Sequence, residues 1–396
     1  MDSEQTGTNI RTVVIGFGGM GSKYVEILAG GQIEGMSLQG VCCRNAAGQQ
    51  RLREVYPQAV IYHDVEDTFA HAADFDAVVI VTPHDTHVEI GRKAFAHGKH
   101  VICDKPAGVS THEVREFLAA KRRDTEFAMM FNTRTGPAFQ KAKEMLEAGE
   151  LGKVTRAIWT CNTWFRSTCY HSSAPWRSTW KGERGGLLIN QCQHFLDIWQ
   201  WLFGMPDAVD ASIDFGKYNN FAVDDSVDLR FFYNNECGEN GMGQERKFPG
   251  LRGSFLSASG EHPGVNRLEI WGSRGRLTVD CGKTLTFDRN DVDTRVFCRE
   301  NEEIYAAPAH HMEQIEVGTE EQPYVTMFRN FSDHIHKGTP LLAPGEEGLN
   351  SILLANASYL SAWQHRRIEL PIDDMLYEIL LDQHISGEER LAERMP

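Results

Sequence analysis

Thr12-Val13-Val14-Ile15 runs directly into Gly16-Phe17-Gly18-Gly19-Met20-Gly21, and a helix-compatible stretch over residues 22–29 follows. An apolar run that ends in G-x-G-x-x-G and opens into a helix is the arrangement that cradles a dinucleotide pyrophosphate. It commits the start of the chain to a parallel α/β sheet. A second feature lies some eighty residues on, where the apolar run His100-Val101-Ile102-Cys103 closes on Asp104-Lys105-Pro106. A lysine at the carboxyl end of a later parallel strand lies on the edge where open α/β sheets bind ligands. Alone, Lys105 would read as a solvated loop lysine.

The remaining pattern divides in two. Apolar runs over 12–15, 37–42, 60–62, 77–81, 101–103 and 127–130 alternate with helical patterns, notably 88–97 and 112–121, which predicts a doubly wound Rossmann sheet. A helix is expected over 136–149, with Pro137 near its start. The segments 154–163, 208–215, 226–233, 252–258, 267–271 and 276–279 are β-like and joined by hairpin-like or polar links. They predict a large open, mainly antiparallel sheet, with amphipathic helices over 325–336 and 346–365. The expected division is a dinucleotide-binding domain over 1–134 and a substrate-binding and oligomerisation α/β domain over 135–396.

Composition excludes several functions. The chain has 396 residues, 41% of them hydrophobic, and a net charge of −15. An acidic surface without a basic stripe argues against nucleic acid and anionic membranes as partners. Nine cysteines without C-x-x-C or metal-type spacing suit reduced thiols in a cytoplasm. The polar start, residues 1–9, lacks the apolar core of a signal peptide, and no apolar run approaches a membrane span. His84 and His87, three apart with no third ligand nearby, favour a loop beside the cofactor over a metal site. His310-His311 has no evident partner and reads as a surface feature, and Trp199, Trp201 and Trp363 read as core aromatics.

A helix is predicted over 186–203, mostly apolar, with Asn190 and His194 four apart on one face and Asp197 three further on. A lone buried histidine is ordinarily a satisfied core residue. A polar pair on an apolar helix, in a chain that binds a dinucleotide, points instead to a site.

Taken in order, these motifs resemble the Gfo/Idh/MocA oxidoreductases over roughly residues 10 to 370. Gly16–Gly21 matches the family's dinucleotide turn, Thr82-Pro83 with His87 its Thr-Pro…His segment, and Asp104-Lys105-Pro106 its Glu-Lys-Pro. Asn132-x-Arg134 and Gly149-Glu150-Leu151-Gly152 are similar to its crossover, and Gly185-Gly186 through Asn190 and His194 to its Gly-rich helix. The resemblance implies a cofactor site of Gly16, Phe17, Gly18, Gly19, Met20, Gly21, Arg44, Thr82, Pro83, His87, Asp104, Lys105 and Asn132. It implies hydride transfer between NAD or NADP and a sugar, polyol or related hydroxyl. Lys105 and His194 would be the catalytic pair, either one the formal base, with Asn190 orienting.

The stretch Tyr170-His171…Pro175-Trp176-Arg177-Ser178-Thr179-Trp180 is similar to a subgroup acting on hexoses and glycosides, some members of which oxidise a glucosyl 3-hydroxyl. Lys105, Tyr170, Trp176, Arg177, Asn190 and His194 are then the substrate-binding residues, with Trp176 and Trp180 candidates for stacking a pyranose. Only Arg177 in this loop could pair a carboxylate, so an uncharged hexose or glucoside is the expected substrate. Asp104 replaces the commoner glutamate, and Arg184 interrupts the glycine triplet. Asn190 replaces a frequent carboxylate, which leaves orientation as its role. Where an acidic residue would meet the adenosine ribose the chain reads Val41-Cys42-Cys43-Arg44-Asn45, so Arg44 could meet a 2′-phosphate. Two rival classes share these motifs: a glycosidase working by transient C3 oxidation and elimination, and a non-catalytic dinucleotide-binding regulator. A homo-oligomer built through the open sheet is expected.

Overall fold

The structure is a computed structural model that describes residues 9–319 and 321–392. The described chain forms two units, 9–135 with 321–352 and 136–319 with 353–392.

The first unit carries six parallel strands: β1 (Ile10–Ile15), β2 (Met36–Cys42), β3 (Val60–Tyr62), β4 (Ala77–Ile80), β5 (His100–Cys103) and β6 (Phe127–Met129), in the order β3-β2-β1-β4-β5-β6. Val13, Val14, Ile15 and Val78–Ile80 are wholly buried, as expected of central parallel strands covered on both faces. Helices α1 (Gly19–Ala29), α2 (Ala46–Val55), α3 (Val65–Ala70), α4 (His87–Ala96) and α5 (Thr111–Ala120) supply the crossovers. Asn45, Asp64 and Ser110 cap α2, α3 and α5 by accepting backbone N–H bonds. The strand order reverses between β1 and β4, and such a switch point opens a crevice beyond the carboxyl ends of the strands.

Residues 321–352 belong to this unit, whereas the sequence reading grouped them with the second. Helix Pro323–Lys337 lays Tyr324 and Phe328 against the buried ring of Tyr24, each at 5.5 Å between centroids. The amide of Met129 donates to the Ala343 carbonyl at 2.9 Å. Arg134, fully buried, donates to the Leu342 carbonyl at 2.9 Å and pairs with Glu347 at 2.5 Å. An amphipathic pattern states that a helix has an apolar face, but not which body covers it.

The second unit begins with α6 (Pro137–Glu147), then β7 (Val154–Cys161), α7 (Thr168–His171) and α8 (Gln193–Phe203). The remaining strands are β8 (Ala208–Phe215), β9 (Asp224–Phe232), β10 (Arg252–Ala258), β11 (Asn266–Gly272), β12 (Gly275–Asp280), β13 (Thr284–Asn290), β14 (His310–Ile315) and β15 (Ile368–Glu369). They form one sheet, β14-β13-β12-β11-β7-β10-β9-β8-β15, antiparallel throughout except for β7 with β10. Trp159 of β7 anchors the core between Phe139, Phe195 and Phe255.

Strands β13, β14 and β15 and helices α7, Thr294–Glu300 and Asp374–Ala392 were not predicted. β14 is an edge strand whose side chains are exposed or half-buried, so burial imposes little apolar alternation on its sequence. There His310 and His311 do have partners, Asp288 at 2.6 Å and Asp291 at 3.2 Å.

Removing one partner of a buried ion pair leaves the other uncompensated. Arg134→Met should therefore lower unfolding free energy by roughly 2–3 kcal/mol, less than for a fully buried pair because Glu347 keeps some solvent contact. Urea unfolding followed by tryptophan fluorescence measures it.

Candidate active site

The first turn of the first unit is shaped by what its glycines admit. Gly16 has φ +111°, and a Cβ there would lie 2.6 Å from the Val81 carbonyl oxygen. A Cβ on Gly21 would lie 2.2 Å from the Gly16 oxygen. Gly18 and Gly19, by contrast, face open space, flanked by half-buried Phe17 and Met20. No side chain caps α1, so its leading N–H groups have no side-chain acceptor. An uncapped helix start behind a bare glycine backbone is a fit for a pyrophosphate. Arg44 stands exposed after β2, and among the described residues no carboxylate pairs with it.

The other expected cofactor residues follow β4, β5 and β6 on the same edge. Thr82, before Pro83, shares a 2.6 Å hydroxyl–hydroxyl bond with Thr86. Lys105 is half-buried beyond β5. The side-chain oxygen of Asn132 is buried with no hydrogen-bond partner, an acceptor that a carboxamide N–H would satisfy.

Two assignments are corrected. The His87 ring is buried, with Nδ1 2.7 Å from the Pro106 carbonyl and Nε2 2.8 Å from that of Thr82. It fastens the Lys105 loop to the end of β4 and has no edge left for a cofactor. Asp104 also faces inward: it accepts the Lys105 amide at 2.8 Å and the Tyr24 hydroxyl at 3.2 Å. Burial pushes its pKa up, against the opposing charge of Lys105.

In the second unit, the predicted helix over 186–203 is helical only from Gln193. Residues before it form a wide turn in which the Asn190 amide donates to the Gly186 carbonyl and the Cys192 amide to that of Leu187. Asn190 and His194 therefore do not share the face of one α-helix. The cause is Asp224, buried at the start of β9, whose oxygens accept Gly186 N–H at 2.7 Å, Leu188 N–H at 2.8 Å and the Tyr359 hydroxyl at 2.6 Å. Burial raises its pKa, although all three bonds favour the charged form. Only glycine fits this turn: a Cβ on Gly185 would lie 2.3 Å from the Tyr359 hydroxyl, and one on Gly186 2.3 Å from the Asp224 carbonyl oxygen.

Asn190 is buried, and its amide nitrogen donates to Glu183 at 2.5 Å and to the Tyr170 hydroxyl at 3.2 Å. Glu183, also buried, accepts the Ser178 amide at 2.6 Å and lies 3.7 Å from Arg177. Arg177 donates to the Tyr170 hydroxyl at 2.7 Å and stacks over the rings of Tyr170 and Trp176. Tyr170, Trp176, Arg177 and Asn190 are thus one connected group, and half-buried His194 sits in the first turn of α8. Trp180 is not a stacking platform: it is buried among Phe215, Tyr359, Trp363 and His384 and donates to the Ala222 carbonyl.

Glu183 and Asp224 were missed. Each is a carboxylate with no cation beside it in sequence except Arg184, a cue that becomes legible only with burial. Asp224→Asn replaces one acceptor oxygen with an NH₂ group facing donors, and should cost about 1–3 kcal/mol of stability by thermal denaturation.

Residues 10–131 match the oxidoreductase family with an NAD-binding Rossmann fold, and residues 139–278 match the GFO/IDH/MocA C-terminal domain. The chain is 25% identical over 316 residues to inositol 2-dehydrogenase of Rhizobium meliloti, covering 77% of this chain and 83% of that protein. It is 29% identical over 176 residues to an uncharacterized oxidoreductase of Schizosaccharomyces pombe, spanning 43% of this chain and 45% of that one. The WlbA dehydrogenase from Bordetella pertussis, solved with NADH and UDP-GlcNAcA, shares the fold at TM-score 0.72 and 20% identity, over 92% of this chain and 100% of that one. With both of its domain types matched in order along more than half of its length, the chain belongs to the Gfo/Idh/MocA family of oxidoreductases, and its first unit is the family's NAD-binding Rossmann domain.

Proposed function

We propose that the chain is a NAD(P)-dependent dehydrogenase acting on a secondary hydroxyl of a sugar or glycoside, in its finer form the 3-hydroxyl of a glucosyl group. The observation that carries this reading is the row of groups on the carboxyl edge of the first unit: the open glycine turn after β1, Lys105 after β5 and the orphan Asn132 oxygen after β6. The polyol dehydrogenase and the nucleotide-sugar complex among its relatives support a sugar-like substrate.

A bound nicotinamide would supply the acceptor for the hydride leaving the carbinol carbon. His194 takes the hydroxyl proton. Lys105 donates a hydrogen bond to the same oxygen and stabilises the negative charge that develops on it. Asn190 has its amide nitrogen held by Glu183 and Tyr170, which turns its carbonyl oxygen away from them to orient substrate or imidazole. Tyr170, Trp176 and Arg177 present aromatic and hydrogen-bonding surface to the ring. Both cofactors are admitted on this reading, with Arg44 serving a 2′-phosphate because no acidic side chain follows β2 to claim a ribose hydroxyl. All nine cysteines are free thiols, which supports a reducing cytoplasm, and no described helix is long and apolar enough to cross a membrane. A homo-oligomer joined through the open sheet completes the proposal.

Lys105→Ala should leave NADH binding nearly intact and lower kcat by at least about a hundredfold. His194→Ala should match it, and the double variant should lose far less than the product of the two, since groups acting on one hydroxyl are not additive. Steady-state rates on a panel of hexoses, inositols and glucosides test this; near-normal turnover in either single variant removes that residue from the mechanism.

Arg44→Ala should raise the KM for NADP while leaving that for NAD almost unchanged. Equal effects on both cofactors would show that the guanidinium touches neither nucleotide.

A further inference from the structure

We infer that the sugar taken by this site carries an acidic group, a carboxylate or a phosphate, and that Arg166 binds it. The inference deepens the proposed function and rests on reading the group around Asn190 as a sugar site.

The sequence reading set charged substrates aside because Arg177 was the only cation in the loop 170–180. In the fold a second guanidinium joins it. Arg166 lies 4.7 Å over the Tyr170 ring and 5.1 Å over the Trp164 ring, and Arg177 lies 4.5 Å over the same Tyr170 ring and 4.6 Å over Trp176. Both guanidinium groups thus contact the one phenol ring, and each also contacts an indole. Stacking fixes the orientation of a guanidinium plane and leaves its N–H fork directed at whatever approaches in that plane.

The two cations differ in how they are compensated. Arg177 has the Glu183 carboxylate at 3.7 Å, the Tyr170 hydroxyl and the Ser173 hydroxyl. The Arg166 side chain donates one hydrogen bond, to the adjacent Phe165 carbonyl at 3.0 Å, and its Nε is buried with no hydrogen-bond partner. Among the described residues no carboxylate pairs with it. The other nearby ionisable groups do not compensate it either. Burial pushes the pKa of His171 down; Asp225 opposes that, while Arg177 and Arg166 add to it. Asp225 accepts the backbone amides of Lys217, Tyr218 and Asn219. In a chain of net charge −15, Arg166 is a half-buried guanidinium with no counter-ion among the described residues.

Arg166 is also tied to the proposed site. Tyr170, the ring it shares with Arg177, accepts from the side chains of Asn190 at 3.2 Å and Gln191 at 3.1 Å. Trp164, its other ring, meets Phe195 edge-on at 6.2 Å, and Phe195 directly follows His194. An anion on Arg166 would therefore sit one aromatic ring from the groups proposed to handle the hydroxyl. A half-buried guanidinium held against aromatic rings, with no carboxylate beside it, is a donor set for bidentate carboxylate or phosphate recognition.

The test measures binding of D-glucose, D-glucuronate and D-glucose 6-phosphate to the whole protein with NADH present, by tryptophan fluorescence, with initial rates recorded separately. One of the two anions should bind at least about tenfold tighter than glucose, a hydrogen bond to a charged group being of that order. Added salt should shrink the preference. In Arg166→Gln the ratio should fall to within about threefold, whereas Arg166→Lys, which keeps the charge but not the fork, should retain part of it. Which anion wins distinguishes a sugar acid from a sugar phosphate. Equal or tighter binding of glucose, failure of all three to bind, or a ratio unchanged in Arg166→Gln overturns the inference. An anion preference without hydride transfer to any tested sugar would instead sink the dehydrogenase reading and leave the acid subsite standing.

Discussion

A buried carboxylate with no cation beside it determines the shape of the second unit around its polar group. Asp224 accepts two backbone amides from one turn and a tyrosine hydroxyl from a distant part of the chain. Asp224 holds the amides of Gly186 and Leu188 in a turn, and helix α8 starts only at Gln193. Desolvating a carboxylate costs several kcal/mol unless its lone pairs are met, so the three donors and the acid require one another. The glycine pair before the turn follows from the same constraint, because the Tyr359 hydroxyl and the Asp224 backbone occupy the space of a Cβ.

The first unit solves a similar problem with carbonyls in place of a carboxylate. The loop after β5 holds a half-buried lysine on the carboxyl edge of the sheet. His87 spans the carbonyls of Thr82 and Pro106, and Asp104 turns inward to Tyr24 and its own loop amide. Neither side chain points at a ligand. Both fix the backbone from which Lys105, the proposed hydrogen-bond donor to the substrate, projects. Tyr24 in turn stands against Tyr324 and Phe328, so residues from the end of the chain stabilise the loop.

Charge compensation separates structural arginines from available ones. Arg134 and Arg246 each meet a carboxylate within the fold, Glu347 and Asp207 respectively, and Arg177 has Glu183 within 4 Å. Arg166 has the same degree of aromatic contact as Arg177 but no acid. Packing alone does not require a guanidinium on the Tyr170 ring, since a methionine or leucine would fill the space without desolvating a charge.

Local chemistry made much of this protein legible from its sequence. The dinucleotide turn, the six strands of the first sheet and the position of Lys105 follow from apolar runs, glycine spacing and strand ends within a few residues of one another. The strands of the second sheet from 154 to 280 were legible for the same reason, as alternation on a half-buried surface is a short-range signal. The start of α8, the inward turn of His87 and Asp104, the return of 321–352 to the first unit and the pairing of Arg166 with Arg177 over one ring were not. Several of these depend on partners far along the chain: Asp224 reaches Gly186 across 38 residues and Tyr359 across 135, and Arg134 reaches Glu347 across 213. Periodicity records which side of an element is buried; only the folded chain decides what stands there, because hydrogen bonds and ion pairs of that range are settled by packing and leave no pattern in the sequence between them.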